Sequence, residues 1–241
     1  MKINKIPIIL VIVLIFFLAD NLLRGEANIN DYTGGSIQYL IKPVGKSECK
    51  NIGTVDLGGV KAVLVTIKSK ALFVEVAENI YYDPESSLPY RTEGTYSGLW
   101  FNEYRTEEYD QKKFTVLIKK FKGKKLIKEQ MIKADGPIQN MNTLLYYLHN
   151  QPDLKIGWHF NANVVDDLKL LELGLELVSI DEITVPGGKF EAYHFKCVPN
   201  RFEIWIDKSS LRIPLKIIVR GIVRCSLLMK EYSLHDGYSH E

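Results

Sequence analysis

Cysteine is scarce: Cys49, Cys197 and Cys225 are the only three in 241 residues. An odd count leaves at least one thiol unpaired in an exported chain, which excludes a disulfide-rich scaffold. A large charge of one sign is lacking as well. Thirty-one Lys and Arg against 29 Asp and Glu give a net charge of +2. Nucleic-acid binders concentrate a strong positive excess on one face, so that partner class is excluded. No Gly-rich phosphate loop and no G-x-S-x-G elbow is present. Repeats, low-complexity tracts and long linkers are also missing. The longest apolar run, Ile6 to Ala19, would reach about 21 Å as a helix, short of the roughly 30 Å of bilayer hydrocarbon. No cysteine follows that run, which argues against lipid attachment at a lipoprotein-type cysteine.

What is present at the start is a targeting segment. Lys2 and Lys5 precede the apolar run, the charge order of a secretory signal. Gly25-Glu26-Ala27 offers a small-x-small cleavage site, giving a mature chain from Asn28. Residues 1–27 are therefore expected to be a signal peptide, with an uncleaved N-terminal anchor as the alternative. Either way the protein is expected to be exported, to the periplasm or cell envelope. Residues 28–241 are expected to form a single β-rich domain, with its core over about 36–232. The composition, 46% hydrophobic and 25% charged, is that of an ordinary globular protein.

The dominant period after the leader is two. Ile37, Tyr39 and Ile41 alternate with Gln38 and Lys42, and "KAVLVTI" and "LFVEVAENIYY" suit strands covered on both sides. In "YRTEGTYSGLWFNEY", Tyr90, Thr92, Gly94, Tyr96, Gly98, Trp100 and Tyr104 share one face of an expected curved strand. "FTVLIKKFKGKKLIKEQMI" reads as a hairpin turning at Gly123. One helix is expected, near Ile138–His149, with Pro137 at its first position and Pro152 as its stop. Asp166-Asp167 marks a turn. "KLLELGLELVSIDEITV" reads as one long or bent strand, with a helix over 169–176 as the alternative. In Val185-Pro186-Gly187-Gly188, Pro presets φ and Gly187 supplies a positive φ, a type II pattern. Strands 189–198, 201–207, 213–220 and 222–232 follow as an antiparallel meander. The fold class is therefore mainly β: a curved antiparallel sheet or incomplete β-barrel with one amphipathic helix on its concave side.

Four stretches, "IGTVDLGGVKAVLVTI", "ENIYYDPESSLPYRTE", "EEYDQKKFTVLI" and "ITVPGGKFEAYHF…IWIDKSSLRIPLKI", closely resemble the bacterial envelope family called domain of unknown function 3108. The resemblance runs from about Ser36 to Tyr232. It implies an exported protein with a helix in the concavity of a curved sheet. More distantly, that shape is similar to the lipoprotein carriers of the Lol system. The family brings no catalytic residues to carry over.

Candidate sites are few. His194 and Cys197 lie three apart in a strand and so point to opposite faces, which rules out a thiolate–imidazole dyad. His149, His159 and His194 are scattered, and His235 and His240 sit in a polar tail, so no metal site is expected. Glu107-Glu108 and Asp166-Asp167 are read as solvated acids at turns. No enzyme activity and no cofactor are expected. The basic hairpin offers Lys120, Phe121, Lys122 and Lys124 for contact with an anionic membrane surface. Its alternative role is to protect strand edges from aggregation. Tyr96, Trp100, Trp158 and Phe160 are the expected lining of an apolar cavity in the concavity. Two function classes follow: a carrier of a hydrophobic ligand (a lipid or a lipoprotein acyl chain), or a structural or adaptor protein with an envelope protein partner. Cys197 and Cys225 are expected three strand spacings apart, roughly 14 Å at about 4.8 Å each. A disulfide needs Cα atoms within about 7 Å, so the two cannot bond.

Overall fold

The computed structural model of the protein describes residues 35–220 and 224–234. The expected leader, the turn at Gly221, His235 and His240 lie outside these residues. The first meander comprises β1 (Gly35–Lys42), β2 (Gly45–Asp56), β3 (Lys61–Ala71), β4 (Val74–Tyr82), β5 (Pro89–Gly98), β6 (Phe101–Asp110), β7 (Thr115–Lys122) and β8 (Lys125–Lys133). A short β9 (Ile138–Asn140) and the helix α1 (Thr143–His149) come next. The second meander comprises β10 (His159–Asp166), β11 (Lys169–Val185), β12 (Gly188–Val198), β13 (Phe202–Asp207), β14 (Pro214–Val219) and β15 (Cys225–Leu234).

All the strands belong to one sheet, in the order β8-β7-β6-β5-β4-β3-β2-β1-β15-β14-β13-β12-β11-β10-β9. The two meanders meet where β1 pairs with β15, with Gly35 opposite Leu234 and Lys42 opposite Ser226. Neighbouring strands are antiparallel except β9, which pairs parallel with β10. The sheet curves around one apolar interior. Ile37, Tyr39 and Ile41 of β1, Ile67 of β3, Phe195 of β12, Ile217 of β14 and Leu227 of β15 are each at most 1% exposed. Leu144 and Leu148 of α1 sit among them at 1% and 0%. Burying each such side chain contributes about 1.5–3 kcal/mol, enough to hold a helix of two turns that would not persist alone.

Three sequence expectations are corrected. The expected helix near Ile138–His149 begins only at Thr143, because Ile138–Asn140 pairs with Asn163–Val165. The expected curved strand from Tyr90 to Tyr104 is a hairpin that turns at Leu99-Trp100, with Gly98 opposite Phe101. In the Val-Pro-Gly-Gly turn the positive φ falls on Gly188, at 139°, and not on Gly187. Gly187 meets a different need. Its N–H donates to the Met229 carbonyl at 3.0 Å, and a Cβ there would stand 2.5 Å from Met229 Sδ. The turn thus lies against β15 and closes one end of the curved sheet. The long bent strand is β11, with its irregularity between Leu177 and Ser179. In the last strands Phe202 faces Val219 and Val219 faces Cys225, so β13 and β14 separate Cys197 from Cys225. Both are buried free thiols.

Candidate functional site

The edges β8 and β9 of the sheet are not joined by a backbone ladder. Side chains bridge the gap. Gln111 accepts from the Ile138 N–H at 3.1 Å and donates to the Ile138 carbonyl at 2.8 Å. Gln130 donates to the Leu168 carbonyl at 3.1 Å. Tyr109, Val116, Ile118 and Ile132 pack against Ile138 and Val165 in a second apolar cluster. Beside this cluster lies a buried charge network, the most distinctive polar feature of the interior.

Register builds the network. Glu78 of β4 stands opposite Gly94 of β5, Gly94 opposite Arg105 of β6, and Arg105 opposite Lys120 of β7. Gly94 leaves room for the Tyr96 hydroxyl, which a Cβ there would meet at 3.2 Å. Arg105, only 3% exposed, donates to Tyr96 at 3.3 Å and pairs with Glu107 at 3.2 Å and Asp167 at 3.3 Å. Glu107, 1% exposed, also accepts from Thr92 at 3.0 Å, from Asn140 at 3.2 Å and from Tyr109. Glu78 accepts from Tyr96 and Asn142, each at 3.0 Å. Lys120 pairs with Asp167 and, at 3.2 Å, with Glu103. Asp166, 3% exposed, pairs with Arg201 at 3.4 Å. Burial pushes Glu78 up to about 7 against the pull of Arg105, and the charge of Glu107 adds to the rise. Burial likewise raises Asp166 to about 6, opposed by Arg201 and Arg105.

Chemically this is a lock rather than an acid–base pair. Every oxygen of Glu78 and Glu107 already has a partner, so neither is aimed at an incoming substrate. The contacts run from β4 and β6 to Asn140 and Asn142, tying the first meander to the segment around α1. The reading of Glu107 and Asp166 as solvated acids is therefore corrected: both are in the interior. The signal for Glu107 lay in the alternation Arg105-x-Glu107-x-Tyr109. It was hidden because a two-residue turn at 99–100 reverses which parity faces inward.

On the outer face a second cluster surrounds His194 of β12. Its Nε2 lies 2.9 Å from Glu203, while its Nδ1 lies 3.2 Å from both Ser179 and Asp181. The ring stacks on Trp205 at 4.0 Å, and Lys216 caps the other side of that indole at 4.3 Å. Burial opposes ionisation of Asp181 and Glu203. Bonds from Trp205, Ser179 and His194, and from Arg220 and His194 respectively, nonetheless hold both below the usual carboxylate range. With a carboxylate at each nitrogen, His194 is not placed to draw a proton from Ser179. Among the described residues no group of three or more His, Cys, Asp or Glu is placed to hold a metal ion.

The expected lining residues are split up. Tyr96 belongs to the charge network. Trp158 and Phe160 come together, with ring centroids 6.2 Å apart, and Tyr147 of α1 stacks on Phe160 at 4.1 Å. Trp100 is 81% exposed on its hairpin turn and does not line the concavity. Of the expected membrane contacts, Lys122 and Lys124 are exposed and Phe121 is half-buried against Tyr104. Lys120 is corrected: at 6% exposure it points inward to Glu103 and Asp167.

Pockets among the described residues include the following three. One of about 460 Å³ lies beside α1, lined by Tyr147, Asn150, Gln151 and Phe160 among others. One of about 1070 Å³ runs along β1–β5, and one of about 690 Å³ lies over β10 and β11. Trp158, Tyr96 and Trp100 line none of them. No helix among the described residues is long and apolar enough to cross a membrane.

Fold and site together define a barrel-like β protein, one open curved sheet wrapped around a short helix. The chain belongs to the family described as Protein of unknown function (DUF3108), whose model matches residues 79–220. Among solved structures it is similar to a beta-barrel-like protein of domain of unknown function DUF1849 from Brucella abortus. The TM-score is 0.52 and the identity 6%, over 85% of this chain and 98% of that one. At that identity the likeness concerns the fold alone. No curated protein sequence matches the chain.

Proposed function

We propose that the protein is a non-catalytic, exported envelope protein that works by surface contact, as a structural or adaptor scaffold. The observation that carries this reading is the filled concavity. Leu144, Leu145, Tyr146 and Leu148 of α1 occupy it at 5% exposure or less, with Tyr146 stacked on Tyr82 at 4.7 Å. The engaged oxygens of Glu78 and Glu107 support the absence of catalysis. Carriage of an apolar ligand is a second reading, favoured by the cleft beside α1 where Tyr147 and Phe160 stack. Its volume falls within the range of small-molecule sites, but Glu85, Ser86, Ser87 and Asn163 also line it. Native mass spectrometry of protein purified from its own envelope separates the two. The scaffold reading expects the mass of the polypeptide alone. A lipid bound at one per chain would overturn it in favour of carriage.

A further inference from the structure

Hairpin turns are ordinarily built from Gly, Asn, Asp and Pro, because they sit in water. At one end of this sheet three of them present large apolar side chains to water. The turn between β1 and β2 exposes Val44 at 60%, that between β3 and β4 exposes Leu72 at 57% and Phe73 at 68%, and that between β5 and β6 exposes Leu99 at 59% and Trp100 at 81%. Register sets these three turns level. Gly45 stands opposite Ala71, Ala71 opposite Val74, and Glu75 opposite Ser97. Adjacent hairpins are two strands apart, so the apolar tips repeat about every 10 Å. At the other end, the turns at 57–60, 83–88, 111–114 and 208–213 carry Val60 as their one exposed large hydrophobic.

Two further observations bear on what meets these tips. Leu72 has φ 53°, and it is the one exposed hydrophobic among the non-glycine residues at positive φ. A two-residue turn of that hand normally takes glycine there, so leucine is held at a cost in backbone strain. The surroundings are basic. Lys42 and Lys46 flank the tips, Lys70 beside them is paired with Glu75, and Lys122, Lys124 and Lys125 are exposed on the next turn of the same end, between β7 and β8. Apolar tips level with one another and ringed by lysines match a surface that is negative outside and hydrocarbon just below.

From this placement we infer that the end of the sheet carrying Val44, Leu72, Phe73, Leu99 and Trp100 docks on an anionic phospholipid bilayer, with the tips entering the headgroup layer and the lysines on the phosphates. The inference stands apart from the scaffold reading, since a carrier would dock in the same way. The test uses the full chain and vesicles of equal parts phosphatidylglycerol and phosphatidylcholine with brominated acyl chains. Trp100 is the reporter, because Trp158 is half-buried and Trp205 is 6% exposed.

The expected result is quenching of tryptophan emission that disappears in Trp100→Phe and in vesicles of phosphatidylcholine alone. The pair Leu72→Asn and Phe73→Ser should weaken binding to the vesicles about tenfold, and reversal of Lys122, Lys124 and Lys125 to Glu about a hundredfold or more. Because Asn tolerates the left-handed conformation, the first pair should unfold at the same or a higher temperature, which separates lost docking from lost folding. Unquenched Trp100 emission on anionic vesicles would overturn the inference, as would quenching unchanged in the Leu72→Asn, Phe73→Ser protein. Shielding of Trp100 from acrylamide without vesicles, together with dimer formation, would overturn it in favour of a contact between two copies.

Discussion

At the scale of single residues, Glu78 and Glu107 make a controlled contrast. Both are buried carboxylates in one network, but their counter-charges differ. Glu107 faces Arg105 directly, whereas Glu78 meets only the neutral donors Tyr96 and Asn142. Glu78 is raised from 4.5 to about 7, so on raising the pH the unfolded chain loses this proton first. Its contribution to stability is therefore complete below about pH 4.5 and lost as pH rises through about 7, on the order of 3 kcal/mol. Urea unfolding of Glu78→Gln should show a shallower decline of stability over that window and equal or greater stability than the wild type at pH 8. The slope that remains belongs largely to Asp166, raised to about 6. Glu107→Gln should instead destabilise by about 1.5–3 kcal/mol at pH 8 as well, because Arg105 keeps Asp167 at 3.3 Å but loses a charged partner. Equal effects of the two substitutions would refute this division. Thiols offer a second check: burial pushes Cys197 up to about 11 and Cys225 up to about 12. Both should resist thiol reagents in the native protein and react fully, without reductant, once it is denatured. That expectation followed from the sequence alone, since the register of a meander fixes how many strands separate two residues. Glu107 was not legible in the same way. A two-residue turn carries little sequence signal, and missing one inverts every inward and outward assignment beyond it.

At the scale of elements, α1 shows what patterning does and does not specify. Ile138, Met141, Leu145 and Leu148, the apolar stripe expected of the helix, are all buried, though only Leu145 and Leu148 lie in α1. The start of the helix was misread because Pro137 fits a first helical turn as well as it fits the approach to a strand. The tertiary partner decides: β10 offers a free edge to Ile138–Asn140, and the Gln139 and Asn140 side chains engage Thr143, Glu107 and Tyr109. No local property of the segment reports that edge. Leu148, fully buried, is the position that fixes the helix in the concavity. Leu148→Ala should cost about 2–5 kcal/mol in equilibrium unfolding, while Lys155→Ala on the exposed loop beyond should change stability by under about 0.5 kcal/mol. If Leu148→Ala proved nearly neutral, the helix would be an appendage and the concavity open to a ligand. The Val-Pro-Gly-Gly turn has its positive φ at Gly188 and not at the expected Gly187. Close packing of Gly187 on Met229, which no sequence motif encodes, is what makes it structural.

At the scale of the whole molecule, two junctions close the curve, and they are made differently. Between β1 and β15 the closure is a backbone ladder, in which each residue pair is held independently of side-chain identity. Between the β8 and β9 edges the closure rests on particular side chains: Gln111, Gln130, and above all Asp167, which meets both Lys120 and Arg105. The alternating pattern of the strands predicted a curved, incomplete barrel. It was silent on the seam, because side chains that join two distant elements leave no period in either. Asp167 sits at φ 58° in the turn before β11, a conformation that Asn adopts readily. Asp167→Asn therefore removes the charge while keeping the turn. Lys120 retains Glu103 and Arg105 retains Glu107, so the loss should be moderate, about 1.5–3 kcal/mol, typical of a charged hydrogen bond. The location of the effect is the sharper expectation. Amide hydrogen exchange should quicken in β7–β10, the strands on either side of the seam, and stay unchanged in β1 and β15. A uniform rise across the sheet would mean that the seam and the ladder open together, and that the two junctions form one cooperative unit.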